Sequence, residues 1–184
     1  MAVSSVGLLF FPLLMIPIGV GIKMSSKGPV FYRQLRTGRN GRLFTCYKFR
    51  TMYNNTGTET VERNDPRVTS FGAFLRRRSL DELPQIVNVF LGQMSLVGPR
   101  PHMLSHTLFY GSLIDGYGER LSVKPGITGL AQIEGYRGAT DRIWKMQKRI
   151  DFDRSYISHW SMWKDLKIIG RTLVKEIRGD ENAF

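Results

Sequence analysis

The stretch from Arg76 to Pro101, RRRSLDELPQIVNVFLGQMSLVGPRP, sets adjacent carboxylates, Asp81 and Glu82, after three arginines and before an apolar run. A carboxylate can attack phosphorus only when the negative charge of both reactants is screened. Arginines and a divalent metal do this, and they stabilise the charge that grows in the transition state. Neighbouring helical side chains point about 100° apart. One carboxylate can therefore face phosphorus while the next binds Mg²⁺, which takes few carboxylates plus phosphate oxygens. Arg76 lies about one and a half helical turns before Asp81, and Pro99 and Pro101 fix the backbone on both sides of Arg100. The same residues have a structural reading. Ser79-x-x-Glu82 matches a capping box, and Pro84 favours a helix start slightly later. In either register the carboxylates sit at a helix amino terminus, where phosphate is attracted. The two readings are compatible, and the pattern predicts phosphoryl transfer without naming a substrate.

Other elements must hold these groups. Val30–Leu35 and Leu43–Arg50 read as strands joined at Asn40-Gly41, a turn pair that tolerates positive φ. The two-residue period puts Cys46, Lys48 and Arg50 on one face, either a solvated face or an anion contact, and Tyr47 and Phe49 on the other. Tyr53–Pro66 is a polar loop. Helical pattern resumes near Thr69 and runs, interrupted, to Gly92, and His102–Gly116 and Ile143–Ile157 are further helices. Lys124–Gly129 (KPGITG) and Gly135–Asp141 (GYRGATD) are turns. In the helix expected from Ser161 to Arg178, Lys164, Lys167, Arg171, Lys175 and Arg178 form a basic stripe. Trp163, Leu166, Ile169, Leu173 and Ile177 form an apolar stripe beside it. Such a helix, opened by Trp160 and Trp163, suits a bilayer surface with anionic head groups, and equally an ordinary core-packed helix.

The chain has 184 residues, enough for one well-cored domain. Its net charge of +12 predicts an anionic partner: nucleic acid, a phosphorylated ligand or an acidic membrane. The excess belongs to the first half, since residues 1–80 carry 13 Lys/Arg against 3 Asp/Glu and residues 81–184 carry 14 against 12. The single cysteine, Cys46, excludes an internal disulfide and fits a reducing compartment. Met1–Ile22 has no charged residue, and twenty helical residues reach about 30 Å, roughly the hydrocarbon thickness. The segment lacks the basic start and cleavage site of a signal peptide, so membrane insertion is expected, with a buried core helix as the alternative. Pro12 and Pro17 predict kinks or breaks, compatible with a span or with a re-entrant hairpin. Lys23, Lys27, Arg33 and Arg36 place the following chain on the cytoplasmic side.

Several long motifs in order, GPVFYRQLRTGRNGRLFTCYKFRTM, NDPRVTSFGAFLRRRSLDELPQIVNVFLGQMSLVGPRP, VKPGITGLAQIEGYRGATD and DLKII, closely resemble the bacterial sugar transferases, the monotopic phosphoglycosyl transferases. GYRGATD and the Met146–Trp163 stretch look most like the members that serve exopolysaccharide assembly. The resemblance implies an α+β domain, mostly helical with a small β-hairpin. It further implies a membrane-inserted re-entrant helix over residues 1–22 and a catalytic domain over 23–184 at the cytoplasmic face of the bacterial inner membrane, with amphipathic helices on the surface. In that family's mechanism Asp81 would attack the sugar-linked phosphate of a UDP-hexose, release UMP and carry a covalent phosphosugar. Glu82 would bind Mg²⁺, and undecaprenyl phosphate would take the phosphosugar. Arg76 and Arg100 match arginines near the phosphates, Lys48 falls in the matching YKFRTM stretch, and Asp153 and Asp165 match acidic positions. Membrane lipids are the remaining expected partners, nucleic acid is not expected, and the hexose and oligomeric state are left open. Family members begin with Lys-Arg and Asp before the apolar helix, whereas this chain starts inside it, which leaves open whether it is a piece of a longer membrane protein. Phe11 precedes Pro12 where relatives commonly have Ser.

Two other classes compete. A nucleic-acid binder would explain the charge but neither Met1–Ile22 nor the acidic pair. A membrane-anchored interaction module would have no turnover, and UMP release from a UDP-sugar separates it from an enzyme. His102 and His106, four apart, do not complete a zinc site and are expected to be surface or core residues.

Overall fold

The computed structural model describes residues 15–54, 65–138 and 142–178. Pro12 and the first part of the expected inserted segment, most of the Tyr53–Pro66 loop, and the end of GYRGATD lie outside the described residues. The architecture is mixed, with seven helices and two small sheets among the described residues.

Helix α1 covers residues 15–25, Pro17 included. It buries Ile18 and Ile22 against Phe49 and Leu75, with Phe71, Leu80 and Leu83 packed around them, and turns Ile16, Val20 and Met24 outward. No helix among the described residues is long and apolar enough to cross a membrane. Strands β1 (Phe31–Thr37) and β2 (Leu43–Phe49) form the expected antiparallel hairpin, in register from Phe31 opposite Phe49 to Thr37 opposite Leu43. Its turn places Asn40 at φ 56° and Gly41 at φ 75°, the left-handed region these two residues tolerate.

Helix α2 (Ser70–Arg77) starts at Thr69, whose hydroxyl accepts from the Gly72 N–H at 2.9 Å. Gly72 lies directly against the Thr51 carbonyl, where a Cβ would collide. A 3₁₀ turn, Leu80–Glu82, leads into α3 (Gln85–Phe90) with Pro84 immediately before it. Strand β3 (Ser95–Val97) pairs in parallel with β4 (Gly126–Thr128), so the KPGITG segment is half turn and half strand. A Cβ on Gly98 would meet the Lys124 oxygen at 2.6 Å, and one on Gly126 or Gly129 would strike the Gly98 backbone. The two segments lie backbone against backbone.

Helices α4 (Leu104–Leu113), α5 (Leu130–Ile133), α6 (Ile143–Ser158) and α7 (Met162–Arg178) complete the layer. Tyr110, Ile114, Tyr117, Met146 and Ile150 form one core cluster, and Val97, Ile133, Tyr156 and Ile168 another. His102 is buried with its Nδ1 2.7 Å from the Tyr117 hydroxyl, and among the described residues no group of three His, Cys, Asp or Glu could hold a metal. Helix α7 faces the protein with Ile168, Thr172 and Glu176, while Lys164, Arg171 and Lys175 bond back to Ser155, Glu134 and Gln132. Met162, Trp163, Leu166, Leu173 and Val174 point outward. Of the expected apolar stripe, Trp163, Leu166 and Leu173 are therefore uncovered by the protein.

Candidate active site

The acidic pair sits between two helices rather than on one. Ser79 adopts a left-handed φ of 49° and makes no capping bond, so the expected capping box does not form. Its hydroxyl instead accepts from Arg137 Nη1 at 2.6 Å. The reason is electrostatic: the Glu82 carboxylate has cationic partners, which it prefers to a neutral N–H.

Lys48 Nζ and Arg100 Nη2 both reach Glu82 Oε1, at 2.6 and 2.5 Å. Arg100 Nη1 donates to Oε2 at 2.9 Å, completing a two-pronged grip, and Arg137 Nη2 lies 3.8 Å from the same oxygen. Lys48 is brought there by β2, and β2 is locked to α3 by the fully buried Asn88. The Asn88 amide accepts from Tyr47 N–H at 3.1 Å and donates to the Thr45 carbonyl at 2.7 Å. Arg100 is held as its flanking prolines led us to expect. The Pro99 carbonyl accepts from Gly126 N–H, Pro101 from Arg36 Nη1 at 3.1 Å, and His102 from Thr37 N–H at 2.9 Å.

Asp81 is also buried, but no ion pair or side-chain hydrogen bond reaches it from the described residues. Arg76 stands beside it without bonding it. Its Nε donates to Thr51 Oγ1 at 2.8 Å, burial lowers its pKa, and the Asp81 charge works in the opposite sense. The two carboxyls are thereby split. Burial pushes Asp81 above its ordinary pKa, the neighbouring Glu82 adds to this, and Lys48, Arg137 and Arg76 offset only part. Burial acts on Glu82 in the same direction, yet Arg100, Lys48 and Arg137 overcome it and hold that carboxyl well below the usual range. Glu82 stays ionised while Asp81 remains a basic, uncommitted carboxylate, the division of roles that environment commonly imposes on paired acids.

Of the residues singled out from the sequence, Lys48, Glu82 and Arg100 are in direct contact, and Asp81 and Arg76 flank them. Arg50 leaves this group. It lies just past the end of β2, where strand alternation no longer applies, and its guanidinium donates to the carbonyls of Ser26 at 2.8 Å and of Lys27, capping the end of α1. Asp153 pairs with Arg120 at 2.9 Å, and Asp165 accepts from Tyr156 and Trp160. Arg137 was missed, because a loop arginine 55 residues beyond Glu82 carries no periodic signal; only its GYRGATD setting marked it. Four cations, Lys48, Arg76, Arg100 and Arg137, thus surround two carboxylates, a surplus suited to a polyanion such as a diphosphate.

The donor set can be matched against Mg²⁺. Among the described residues, Glu82 Oε1 is filled by two donors, Oε2 accepts one hydrogen bond with Arg137 Nη2 3.8 Å away, and Asp81 accepts none. The spare lone pair on Glu82 Oε2 fits a magnesium ion whose remaining ligands are phosphate oxygens and water, with Asp81 left uncommitted beside it.

The family model for bacterial sugar transferase matches residues 1–179. The chain is 52% identical over 175 residues to UDP-glucose:undecaprenyl-phosphate glucose-1-phosphate transferase of Xanthomonas campestris pv. campestris, covering 93% of this chain and 36% of the relative. It is 44% identical to exopolysaccharide production protein PSS of Rhizobium leguminosarum bv. phaseoli, covering 85% of this chain and 82% of the relative. With undecaprenyl-phosphate galactose phosphotransferase of Salmonella typhimurium it shares 40% identity, over 83% of this chain and 34% of the relative. The chain thus spans only about a third of the length of the first and third of these proteins. A cation-ringed acidic pair and a family match running from the first residue almost to the last agree: the chain belongs to the bacterial sugar transferase family.

Proposed function

We propose that the protein transfers a hexose 1-phosphate from a UDP-hexose to undecaprenyl phosphate, as the first membrane step of exopolysaccharide or capsule assembly. The observation that carries this reading is the split pair: Glu82 held ionised by Lys48 and Arg100, and Asp81 buried beside it with a raised pKa. An Asp81 carboxylate oxygen attacks the sugar-linked phosphorus. The bond from that phosphorus to the oxygen bridging it to UMP breaks, and UMP leaves with the electron pair. A phosphate oxygen of undecaprenyl phosphate then attacks the same phosphorus, and the Asp81 carboxylate is expelled. Arg76, Arg100, Arg137 and Lys48 screen the diphosphate and the charge that grows on its oxygens. Glu82 would hold Mg²⁺, which when bound neutralises phosphate charge, leaving Asp81 free to face phosphorus. The relatives' names include glucose and galactose carriers, and the donor is assigned here only as a UDP-hexose.

Membrane seating belongs to the same reading. The outward face of α7, with Met162, Trp163, Leu166, Leu173 and Val174, lies on the cytoplasmic leaflet. The insertion expected of residues 1–22 belongs to this reading: α1 turns Ile16, Val20 and Met24 outward, toward lipid, and packs its other face on the elements that carry the site.

The experiment is donor-only incubation with UDP-hexoses and Mg²⁺, read by intact mass. The wild-type chain gains one hexose phosphate, and Asp81→Asn gains none. A wild-type chain without an adduct under every donor, or an adduct that persists in Asp81→Asn, refutes the nucleophile assignment.

A further inference from the structure

Three buried charged residues outside the acidic pair share one arrangement. Arg120 and Asp153 form an ion pair at 2.9 Å with both side chains almost wholly buried. Arg120 also donates from Nη2 to the Arg100 carbonyl at 2.6 Å. Arg149, one helical turn before Asp153 on the buried face of α6, donates from Nε to the Tyr136 carbonyl at 2.9 Å and from Nη2 to the Gly138 carbonyl at 2.7 Å. Those two carbonyls flank Arg137. Each arginine that faces Glu82 is therefore mounted on backbone gripped by a second, buried arginine.

Burying two guanidiniums around a single carboxylate is costly, and replacing such groups by apolar residues commonly leaves a core as stable or more so. Stability alone gives little reason for them. Placement does: Arg100 meets both Glu82 oxygens, and an error of about 1 Å in such a contact can cost roughly 100-fold in rate. With Arg120 bonding the Arg100 carbonyl, all four carbonyls from Pro99 to His102 accept a hydrogen bond from elsewhere in the chain.

We propose that Arg149 and the Arg120–Asp153 pair are positioning residues that set Arg137 and Arg100 against Glu82. The inference rests on the transfer reaction proposed above. Arg120→Lys, Asp153→Asn and Arg149→Lys are each made alone, the first two also with Arg100→Lys and the third also with Arg137→Lys. Two readouts are taken on the full chain: the rate of donor-only adduct formation, and UDP affinity by calorimetry. Each single change should slow adduct formation by roughly 10- to 100-fold and weaken UDP binding. In the matching arginine background the same change should cost no more than about 3-fold, because residues acting through one contact are not additive. Equal losses in both backgrounds overturn the proposal. A wild-type chain that neither binds UDP nor forms the adduct sinks the transfer reading instead, so the two failures are separable. Should Asp153→Asn not fold, the charge-keeping Arg120→Lys and Arg149→Lys decide the question.

Discussion

Glu82→Gln tests the electrostatic centre of the site. The substitution keeps the side-chain shape and removes one buried charge that accepts three charge-assisted hydrogen bonds, two from Arg100 and one from Lys48. Breaking a buried ion pair from one side costs about 3–5 kcal/mol. Here the glutamine oxygen keeps one acceptor, and the Lys48 and Arg100 side chains are about one-fifth exposed and can recruit water. The expected loss is therefore about 2–4 kcal/mol. For a chain of this size each kcal/mol moves the thermal midpoint by about 2–4 °C, so a fall of roughly 5–15 °C is expected near neutral pH. The sign with pH follows from Glu82 being depressed: its stabilisation is present above the unfolded value of 4.5 and fades as pH falls toward its folded value. The gap between wild type and Glu82→Gln should therefore narrow in acid. Thermal unfolding of both proteins across pH 3–8 measures it. Equal midpoints near pH 7, or a gap that widens in acid, would refute the assignment of Glu82 as the ionised anchor of Lys48 and Arg100.

Three further outcomes are expected. On the proposed reaction an ionised Asp81 attacks, and burial raises its pKa, so adduct formation should rise with pH through a limb lying above the ordinary aspartate value of 3.8; single-turnover rates against pH locate it. Arg50→Ala removes the donor to the Ser26 and Lys27 carbonyls and should destabilise the chain by about 1–3 kcal/mol, seen as faster amide exchange over residues 22–28. Leu166→Ser with Trp163→Ser should lower partitioning to vesicles of anionic lipid by at least about 10-fold while UDP affinity is unchanged, measured by flotation.

What could be read in the sequence, and what could not, follows from the range of each interaction. The hairpin rests on Asn40-Gly41 and on alternation, both local, and it forms in the expected place. Adjacent acids and a proline-bracketed arginine were likewise visible within one stretch. Lys48 and Arg50 looked equivalent by parity, and only the end of β2 at Phe49 separates a site cation from a helix cap. Ser79-x-x-Glu82 looked like a cap because the motif cannot register two cations arriving from positions 48 and 100. In α7 the amphipathic pattern was plain, but which flank the protein covers depends on Tyr156, Val97 and Ile133, which meet Ile168. Asn88 and Arg120 carry no local mark at all, and Arg137 only its GYRGATD setting. Their roles exist only once distant carbonyls and carboxylates are folded against them.

The close approach of the β3 and β4 segments bears on how sequence variation in this protein would be interpreted. Gly98, Gly126 and Gly129 leave no room for even a methyl group between the two segments, and Gly98 directly precedes the Pro99–Pro101 bracket. Alanine at any of them would wedge the strands apart and tilt Arg100 off its target, silencing turnover from a residue that meets no reactant. Intolerance to change in LVGPRP and KPGITG is thus no evidence of contact with the donor; much of it measures clearance between two backbones.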